Sequence, residues 1–572
     1  MSTNNNIITI YKCLLTITLV CLLSPYTQGL FYVSAANIIL VVFLSLVLFY
    51  KVKTENEFKF IGELSKTRKP WIDRIIKYRY TLFLFFLLVL GFVVRIINLT
   101  ALEPYTDEYI HLMYAQSING HGVTNIYIDG QFDELYMRGY FLTYLVSIIF
   151  KFFGESLFNA RLPGIIISTL TIIPMYFVGK KMANKQVGLI TATLWAFLPW
   201  GIMISRNVRE YAYFPLFYAL TFLLFISFYE NIKRYLENRA INSSFYDTLP
   251  QVILLCLPVL YAFVLDTYST FKQISIFYVA SFLFLSYSLL RNTDINKIVK
   301  RVVFIFTLVV ITTGIFIFLN YEISHLSQQP QLNKNWIINL FSSVGMVAMF
   351  FIALIAAIFY FNKRNHYPFL GFILFVFFLY LYFYGFHLTR YFRPRYEFAL
   401  MVWLLPILAF GMYIVIKLIT PTKIYAKILL TCLLLVLVIN PKQFYVALNH
   451  KQHGYVPMTV EYHDQYLPVL EKYRAAIKPK TPIICSLCGP FYWHRQVKHA
   501  DNNIYRYIQN DLERFEKMQE NMSKYKTGWI FLDWRRNGRW NKGLPPKNFK
   551  LGNVKVHFIE YLSGFYIYKW YS

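Results

Sequence analysis

The sequence predicts a mainly α-helical, multi-pass membrane protein with a small extracytoplasmic α/β domain at its C-terminal end. The 572 residues are 57% hydrophobic and only 15% charged, with a mean hydropathy of +0.43. Soluble domains are about half apolar and about a quarter charged. Apolar runs long enough to cross a membrane recur along the chain, with short basic segments between them. After about residue 441 the composition turns polar.

The apolar runs define the expected domain organisation. A membrane-spanning helix needs about 20 apolar residues, and about 13 runs approach this length. They are 7–24, 30–50, 80–99, 161–179, 187–205, 211–229, 249–265, 270–290, 301–320, 337–360, 367–386, 397–417 and 424–440. We therefore predict two N-terminal helices with a basic cytoplasmic linker over 1–79, a membrane module over 80–440 and the α/β domain over 441–572.

The run at 140–153 determines the predicted orientation. It is short and carries Lys151 near its end, so a helix lying in the membrane interface fits it better than a span. With the N-terminus inside, the basic segment 51–79 lies in the cytoplasm. If 140–153 is not a span, the later basic groups, such as the lysines at 180–185, lie there too, as the positive-inside rule requires, whereas counting it as a span would place them outside. The net charge of +28 is thereby explained by the loops, and no nucleic-acid partner is expected. The loop at 98–139 and the C-terminal segment fall on the outer side.

The polar loop at 98–139 holds the candidate catalytic residues. Asp107 and Glu108 form an acidic pair, and His111 follows one helical turn after Asp107. A carboxylate in a partly dry cleft at the membrane face can have its pKa tuned to act as a base. Alternatively, the pair caps or solvates a loop helix, or Glu108 orients a substrate hydroxyl or an arginine. The spacing of Asp107 and His111 would suit a divalent cation, but a lone histidine is a weak signal, and we expect no metal or other cofactor.

Arginines predicted on the outer side run against the positive-inside trend. They occur in SRNVREY and in TRYFRPRYE, and guanidinium groups bind phosphate through paired, charge-assisted hydrogen bonds. The alternatives are headgroup binding or ion pairs with Glu210 and Glu397. The candidate phosphate ligands are Arg206, Arg209, Arg390, Arg393 and Arg395. The candidate substrate-binding residues are His111 and two tyrosines within the arginine motifs, Tyr211 and Tyr391.

The C-terminal segment is predicted to form a small α/β domain. Short β-like runs occur at 482–485, 528–532, 554–559 and 565–568, with charged helical sequence over 503–524. Its Cys485 and Cys488 form a lone pair, which argues against structural zinc and leaves a local disulfide open.

Residues 104–230 carry a resemblance to a known superfamily. The segments PYTDEYIHLMYAQ, YMRGYFLTYLVSIIFKFFGESLFNARLPGIIISTL and ISRNVREYAYFPLFYALTFLL occur in order. They resemble the GT-C superfamily of membrane glycosyltransferases, in its branch of lipid A aminoarabinose transferases and relatives of the protein O-mannosyltransferases. The resemblance implies Asp107 as the general base or substrate-orienting carboxylate. It also places Arg138 near a lysine that contacts the carrier phosphate, although Gly139 replaces the proline that usually follows.

The resemblance implies an inverting transferase in the inner cell membrane, with its site outside. Its donor would be a polyprenyl- or dolichyl-phosphate sugar. Its acceptor would be a hydroxyl group of a glycan, lipid or protein. The protein would also contact membrane lipids. Alternatives remain open. A lipid-linked oligosaccharide ligase or polymerase would use a diphosphate donor. A lipid or polysaccharide transporter would bury charges within several spans, whereas here most charges lie at span ends. A structural subunit with a degenerate site is the third alternative.

Overall fold

A computed structural model describes the central membrane segments and much of the C-terminal segment. The described residues are 70–102, 104, 106–122, 127–128, 131–132, 140–237, several within 277–287, 343–361, 368–382, 398–419, 424–449, 466–473, 475–477, 482–485, 500–501, 522–523, 525–533, 548–551, 553–562 and 565–572. Within these ranges some side chains, including those at 70–79 and 106–107, lie outside the description. The predicted spans at 7–24, 30–50, 249–265 and 301–320 fall outside the described residues.

The protein is mainly helical, as predicted, and the predicted spans within the described ranges coincide with helix. In chain order the helices are α1 (Pro70–Ile96), α2 (Thr106–His121), α3 (Tyr140–Phe153), α4 (Leu157–Leu170), α5 (Ile172–Met182), α6 (Lys185–Phe197), α7 (Pro199–Ser205), α8 (Phe214–Glu237), α9 (Val344–Phe361), α10 (Pro368–Tyr382), α11 (Met401–Ile419), α12 (Ile424–Ile439), α13 (Pro441–Leu448) and α14 (Tyr466–Lys472). Among the described residues, three helices are long and apolar enough to cross a membrane, or up to five if each bent pair is one span. These helices support an integral membrane protein, while the total of about 13 spans stays a prediction.

The chain divides into two compact units. The first comprises 1–98, 164–206 and 210–460, and the second comprises 99–163, 207–209 and 461–572. The second unit therefore brings the polar loop, the short turn at 207–209 and the C-terminal segment into one body. The three-part division predicted from the sequence stays a prediction.

In the first unit, α1 exposes a long apolar stripe. Leu82, Phe85, Phe86, Val89 and Val93 are each at least two-fifths exposed. Their spacing of three or four residues places them along one face of the helix. An exposed stripe of this length is unfavourable in water and is the expected surface of a helix that faces lipid.

A proline breaks the helix between α6 and α7, and an arginine compensates for the break. Pro199 has no N–H group, so the carbonyl oxygen of Trp195 cannot receive its helical hydrogen bond. The two helices meet at an angle of 54°. The buried Arg95 of α1 donates to the carbonyl oxygens of Trp195 at 3.0 Å and Ala196 at 2.8 Å. The same guanidinium donates to Ser168 Oγ at 3.2 Å, which ties three helices together at the break.

In the second unit, the C-terminal segment forms a mixed sheet, and each of the four predicted β-like runs overlaps one of its strands. Its strand order is β4–β3–β5–β8–β7–β6. β3 is parallel to its two neighbours, β4 and β5, and the remaining pairs are antiparallel. The strands are β3 (Ile483–Cys485), β4 (Ala500–Asp501), β5 (Thr527–Asp533), β6 (Asn548–Leu551), β7 (Val554–Leu562) and β8 (Phe565–Tyr571); the polar loop adds a separate hairpin of β1 (Tyr127–Ile128) and β2 (Gln131–Phe132). The predicted helical stretch at 503–524 lies almost entirely outside the described residues, so the complete α/β domain stays a prediction.

One end of this sheet packs against α14 and α2. Val469, Leu470 and Tyr473 cover Phe531 of β5 in a buried cluster that also contains Met113 of α2. Because Met113 belongs to the same helix as the acidic pair, the C-terminal sheet supports the helix that carries the candidate site.

An ion pair and a hydrogen bond join the end of α14 to β7 beside this cluster. Lys472 Nζ lies 2.5 Å from Glu560 Oε2, and the Tyr473 hydroxyl donates to Glu560 Oε1 at 2.6 Å. These two hydrogen bonds favour the charged carboxylate and hold the pKa of Glu560 below its usual value.

We predict that Gly411→Ala destabilises the first unit. A Cβ atom at Gly411 of α11 would overlap the main-chain carbonyl oxygen of Met349 in α9, whereas one at Gly120 would meet nothing within 4 Å. Overpacking at a backbone contact costs roughly 1–3 kcal/mol. Thermal unfolding in detergent should therefore show a lower midpoint for Gly411→Ala. The control Gly120→Ala should leave the midpoint unchanged or raise it, and equal midpoints for both variants would contradict the close packing.

Candidate functional site

The candidate site begins at the first turn of α2. This helix starts at Thr106, so Asp107 and Glu108 both lie in its first turn. Negative side chains are favourable there, because the unpaired N–H groups leave a partial positive charge at the helix start. The backbone of Asp107 is helical, and its side chain lies outside the described part of the structure.

Glu108 is fully buried and anchors the start of α2. Its Oε2 accepts a hydrogen bond from the Val208 main-chain N–H at 2.9 Å. The same oxygen lies 3.6 Å from Nη2 of the equally buried Arg161 in α4. A buried carboxylate needs such partners, because an isolated buried charge is strongly unfavourable. Glu108 therefore joins three separate segments of the second unit.

Arg161 extends this anchor to the chain that leads into the polar loop. Its Nη1 donates to the carbonyl oxygens of Leu99 at 2.7 Å and Leu102 at 2.8 Å. The guanidinium thus binds two main-chain carbonyls with one nitrogen and faces the Glu108 carboxylate with the other. This geometry fixes the approach to α2 as well as its first turn.

His111 lies on the same helix, fully buried between Thr143 and Arg209. Its Nδ1 is 2.9 Å from Thr143 Oγ1, and its Nε2 is 3.4 Å from Arg209 Nη1. An arginine can only donate hydrogen bonds, so Nε2 is the acceptor and the imidazole proton resides on Nδ1. The contact orients Arg209, which is itself buried.

Asn207 adds an unsatisfied amide to this turn. Its side-chain oxygen and nitrogen are both buried, and neither has a hydrogen-bond partner among the described residues. Buried polar groups without partners are uncommon and costly. Within the described part of the chain, the Asn207 amide therefore retains unused hydrogen-bonding capacity.

Arg206, in the first unit, is fully buried against main-chain carbonyl groups. Its Nε donates to the carbonyl oxygen of Arg95 at 2.9 Å. Its Nη2 donates to those of Val94 at 2.6 Å and Ile97 at 2.8 Å, and its Nη1 to that of Ala447. Helix ends leave carbonyl groups without partners, and here they belong to the ends of α1 and α13. These contacts give Arg206 a structural role, while phosphate binding by Arg206 stays a prediction.

The remaining predicted residues are placed as follows. Tyr211 is buried in a single turn of 3-10 helix in the first unit, and its ring meets Phe214 edge to face at 5.7 Å. Arg138, Arg390, Tyr391, Arg393 and Arg395 lie outside the described residues. Among the described residues, no group of three or more His, Cys, Asp or Glu side chains is arranged to hold a metal ion.

Three residues of this cluster were not predicted from the sequence to belong to the site. Arg161 had a usable signal, because a single arginine within an apolar helix usually has a specific partner. Thr143 and Asn207 had none, since an isolated threonine or asparagine says nothing about its tertiary contacts. Glu108 was assigned to the site, and its open alternative of orienting an arginine matches the observed contact with Arg161.

Residues 138–290 match the family described as dolichyl-phosphate-mannose-protein mannosyltransferase. The predicted resemblance to membrane glycosyltransferases is confirmed. The match includes Arg161, Asn207 and Arg209 of the cluster just described, and it begins after α2. No curated protein sequence matches the chain significantly.

Solved structures of such glycosyltransferases resemble the chain at low sequence identity. The apo oligosaccharyltransferase of Archaeoglobus fulgidus is 13% identical, with a TM-score of 0.49, over 82% of this chain and 71% of that one. Apo ArnT from Cupriavidus metallidurans is 12% identical, with a TM-score of 0.48, over 86% of this chain and 98% of that one. ArnT bound to undecaprenyl phosphate is 11% identical, with a TM-score of 0.48, over 86% and 97%.

We predict that Glu108→Ala destabilises the protein by roughly 3–5 kcal/mol, because it leaves buried Arg161 without its counter-charge. Glu108→Gln keeps an acceptor for the Val208 N–H and should cost less. The exposed Glu155, which accepts a hydrogen bond from Gln116 at 2.8 Å, provides the control Glu155→Ala. Thermal unfolding in detergent measures all three variants. Wild-type stability in Glu108→Ala would show that the buried ion pair is not an anchor.

Proposed function

We propose that the protein is an integral membrane glycosyltransferase that moves a sugar from a polyprenyl-phosphate donor to an acceptor hydroxyl on the extracytoplasmic face. The observation that carries the proposal is the anchored first turn of α2. Glu108 is immobilised by Val208 and Arg161, and Asp107 precedes it directly in the same turn. A rigidly held backbone is what a catalytic carboxylate requires.

The acidic pair would then divide its tasks. Glu108 is committed to structural contacts, so we assign it to positioning and Asp107 to catalysis. Asp107 would accept the proton of the acceptor hydroxyl as that oxygen attacks the anomeric carbon. The bond between this carbon and the phosphate oxygen would break at the same time. The products would be a glycoside of inverted configuration and a polyprenyl phosphate.

The departing phosphate would need cationic partners, and the family match supports a lipid-phosphate donor. The description of the matched family names a dolichyl-phosphate sugar. We assign phosphate contacts to Arg138, Arg390, Arg393 and Arg395, because guanidinium groups stabilise charge that develops on a leaving phosphate. Arg206 is left out of this set, because each of its three nitrogens already donates to a carbonyl group.

Arg209 and Asn207, in the turn at 207–209, would bind the donor substrate. Arg209 is oriented by His111, and Asn207 has a buried amide with no partner of its own. A sugar offers hydroxyl groups that can donate to and accept from an amide at the same time. We therefore assign Asn207 to the sugar and Arg209 to the phosphate side of the donor.

We predict that Asp107→Asn lowers sugar transfer by about 10² to 10⁴-fold, the usual contribution of a general base. Donor binding should persist, because the amide keeps the size of the carboxylate. The assay is transfer from radiolabelled polyprenyl-phosphate sugars in membranes, with donor binding measured on the same samples. Since the match names a mannose donor, polyprenyl-phosphate mannose is the first substrate to test.

The control for this experiment is Glu155→Gln, which removes an exposed carboxylate from the same unit. It should transfer sugar at the wild-type rate. Equal rates for wild type and Asp107→Asn would remove Asp107 from the chemistry.

A further inference from the structure

The C-terminal sheet has an open half-face that the transfer chemistry does not use. Residues directly opposite each other in antiparallel strands lie on the same face. Two adjacent rows run across β6, β7, β8 and β5 on this face. They are Lys550–Lys555–Tyr571–Thr527 and Asn548–His557–Lys569–Trp529. We call these eight residues the open face. The next row, with Ile567 and Phe531, is buried in the cluster formed with α14.

The open face is accessible and rich in lysine. Six of its residues are exposed, and Trp529 and Lys569 are half-buried. Lys550 and Lys555 stand directly opposite each other, an arrangement of like charges that destabilises a strand pair. Within the described part of the chain, neither these two lysines nor Lys569 makes an ion pair. Glu560, which stands opposite Ile567 of the next row, is already held by Lys472 and Tyr473.

Aromatic rings alternate with the cations. Lys569 Nζ lies 5.4 Å from the centre of the Trp529 ring and 5.1 Å from that of Tyr571. The His557 ring meets Tyr571 at 5.8 Å. The centres of the Trp529 and Tyr473 rings are 4.9 Å apart, so contact at the end of α14 fixes the orientation of the Trp529 ring. The face therefore presents positive charge between flat rings on a rigid sheet.

We propose that the open face is a binding site for an acidic carbohydrate. The lysines would bind carboxylate groups of the glycan, and Tyr571 would stack against the face of a sugar ring. Asn548, Thr527 and His557 would hydrogen-bond to hydroxyl groups. The electrostatic cost of the Lys550–Lys555 pair would be relieved when an anion lies between them. The site goes beyond the proposed transfer reaction and does not depend on it.

A glycan fits this face better than an anionic membrane surface. Membrane-inserting surfaces present protruding apolar side chains beside their lysines. The two large rings of the open face are those of Trp529, which is half-buried beneath Lys569, and Tyr571, which carries a hydroxyl group. The other side chains are charged, hydroxylated, or carry an amide or imidazole. These groups match a polyhydroxylated acid.

The test is binding of the full-length protein, in nanodiscs of neutral lipid, to oligogalacturonate. The matched probe is the fully methyl-esterified oligomer, which keeps the sugar rings and removes the charge. The variant is Lys550→Gln/Lys555→Gln. Its control, Lys151→Gln/Lys442→Gln, removes two exposed lysines from other elements. A third variant, Tyr571→Leu, removes only the stacking ring.

We expect oligogalacturonate to bind and the Lys550→Gln/Lys555→Gln variant to bind about tenfold more weakly, since two exposed charge contacts are lost. Tyr571→Leu should also bind more weakly, the Lys151→Gln/Lys442→Gln control should match wild type, and added salt should weaken binding. Absent binding, equal binding of the ester, or an equal loss in the control would overturn the proposal. So would competition by phosphatidylglycerol vesicles that exceeds competition by the glycan, because it would assign the face to lipid. Sugar transfer is not the readout, so failure here is distinct from failure of the proposed function.

Discussion

Main-chain carbonyl groups at a helix break, at helix ends and in the connection between α1 and α2 need hydrogen-bond donors, and three buried arginines provide them. In the first unit Arg95 serves the carbonyls released by Pro199, and Arg206 serves the end of α1. In the second unit Arg161 serves Leu99 and Leu102. Water is scarce at such positions, so each unpaired carbonyl would cost free energy. An arginine can satisfy several carbonyls at once because its donors form a fixed fork.

The arrangement around Arg161 in the second unit also fixes the helix that carries the acidic pair. Arg161 brings a positive charge into a fully buried position, and Glu108 compensates for it there. Such a pair adds little net stability compared with apolar packing, but breaking it is costly. The pair therefore holds α2 in one position and contributes precision to the site. The packing of Met113 against the C-terminal sheet supports the same helix from another side.

The sequence predicted the helical class, the apolar helices within the described ranges and the β-like runs of the tail, because hydrophobic length and alternation depend on local composition. It did not predict the short helices α13 and α14. It placed the acidic pair on a helix, but it could not assign Glu108 to Arg161 or His111 to Thr143, since these contacts join distant segments. It also grouped Arg206 with phosphate ligands, on the basis of its residue type and its predicted position on the outer side. The carbonyls that Arg206 binds became apparent only when the ends of α1 and α13 were placed. The pairing of Lys550 with Lys555 likewise required the strand register.

The proposed reaction requires that a sugar leave a lipid monophosphate on this protein. The most direct measurement is release of polyprenyl phosphate from a panel of polyprenyl-phosphate sugars, together with the anomeric configuration of the product. The account predicts one polyprenyl phosphate released for each sugar transferred, with inversion at the anomeric carbon. Release of a lipid diphosphate from a diphosphate donor, with no turnover of any monophosphate donor, would contradict it.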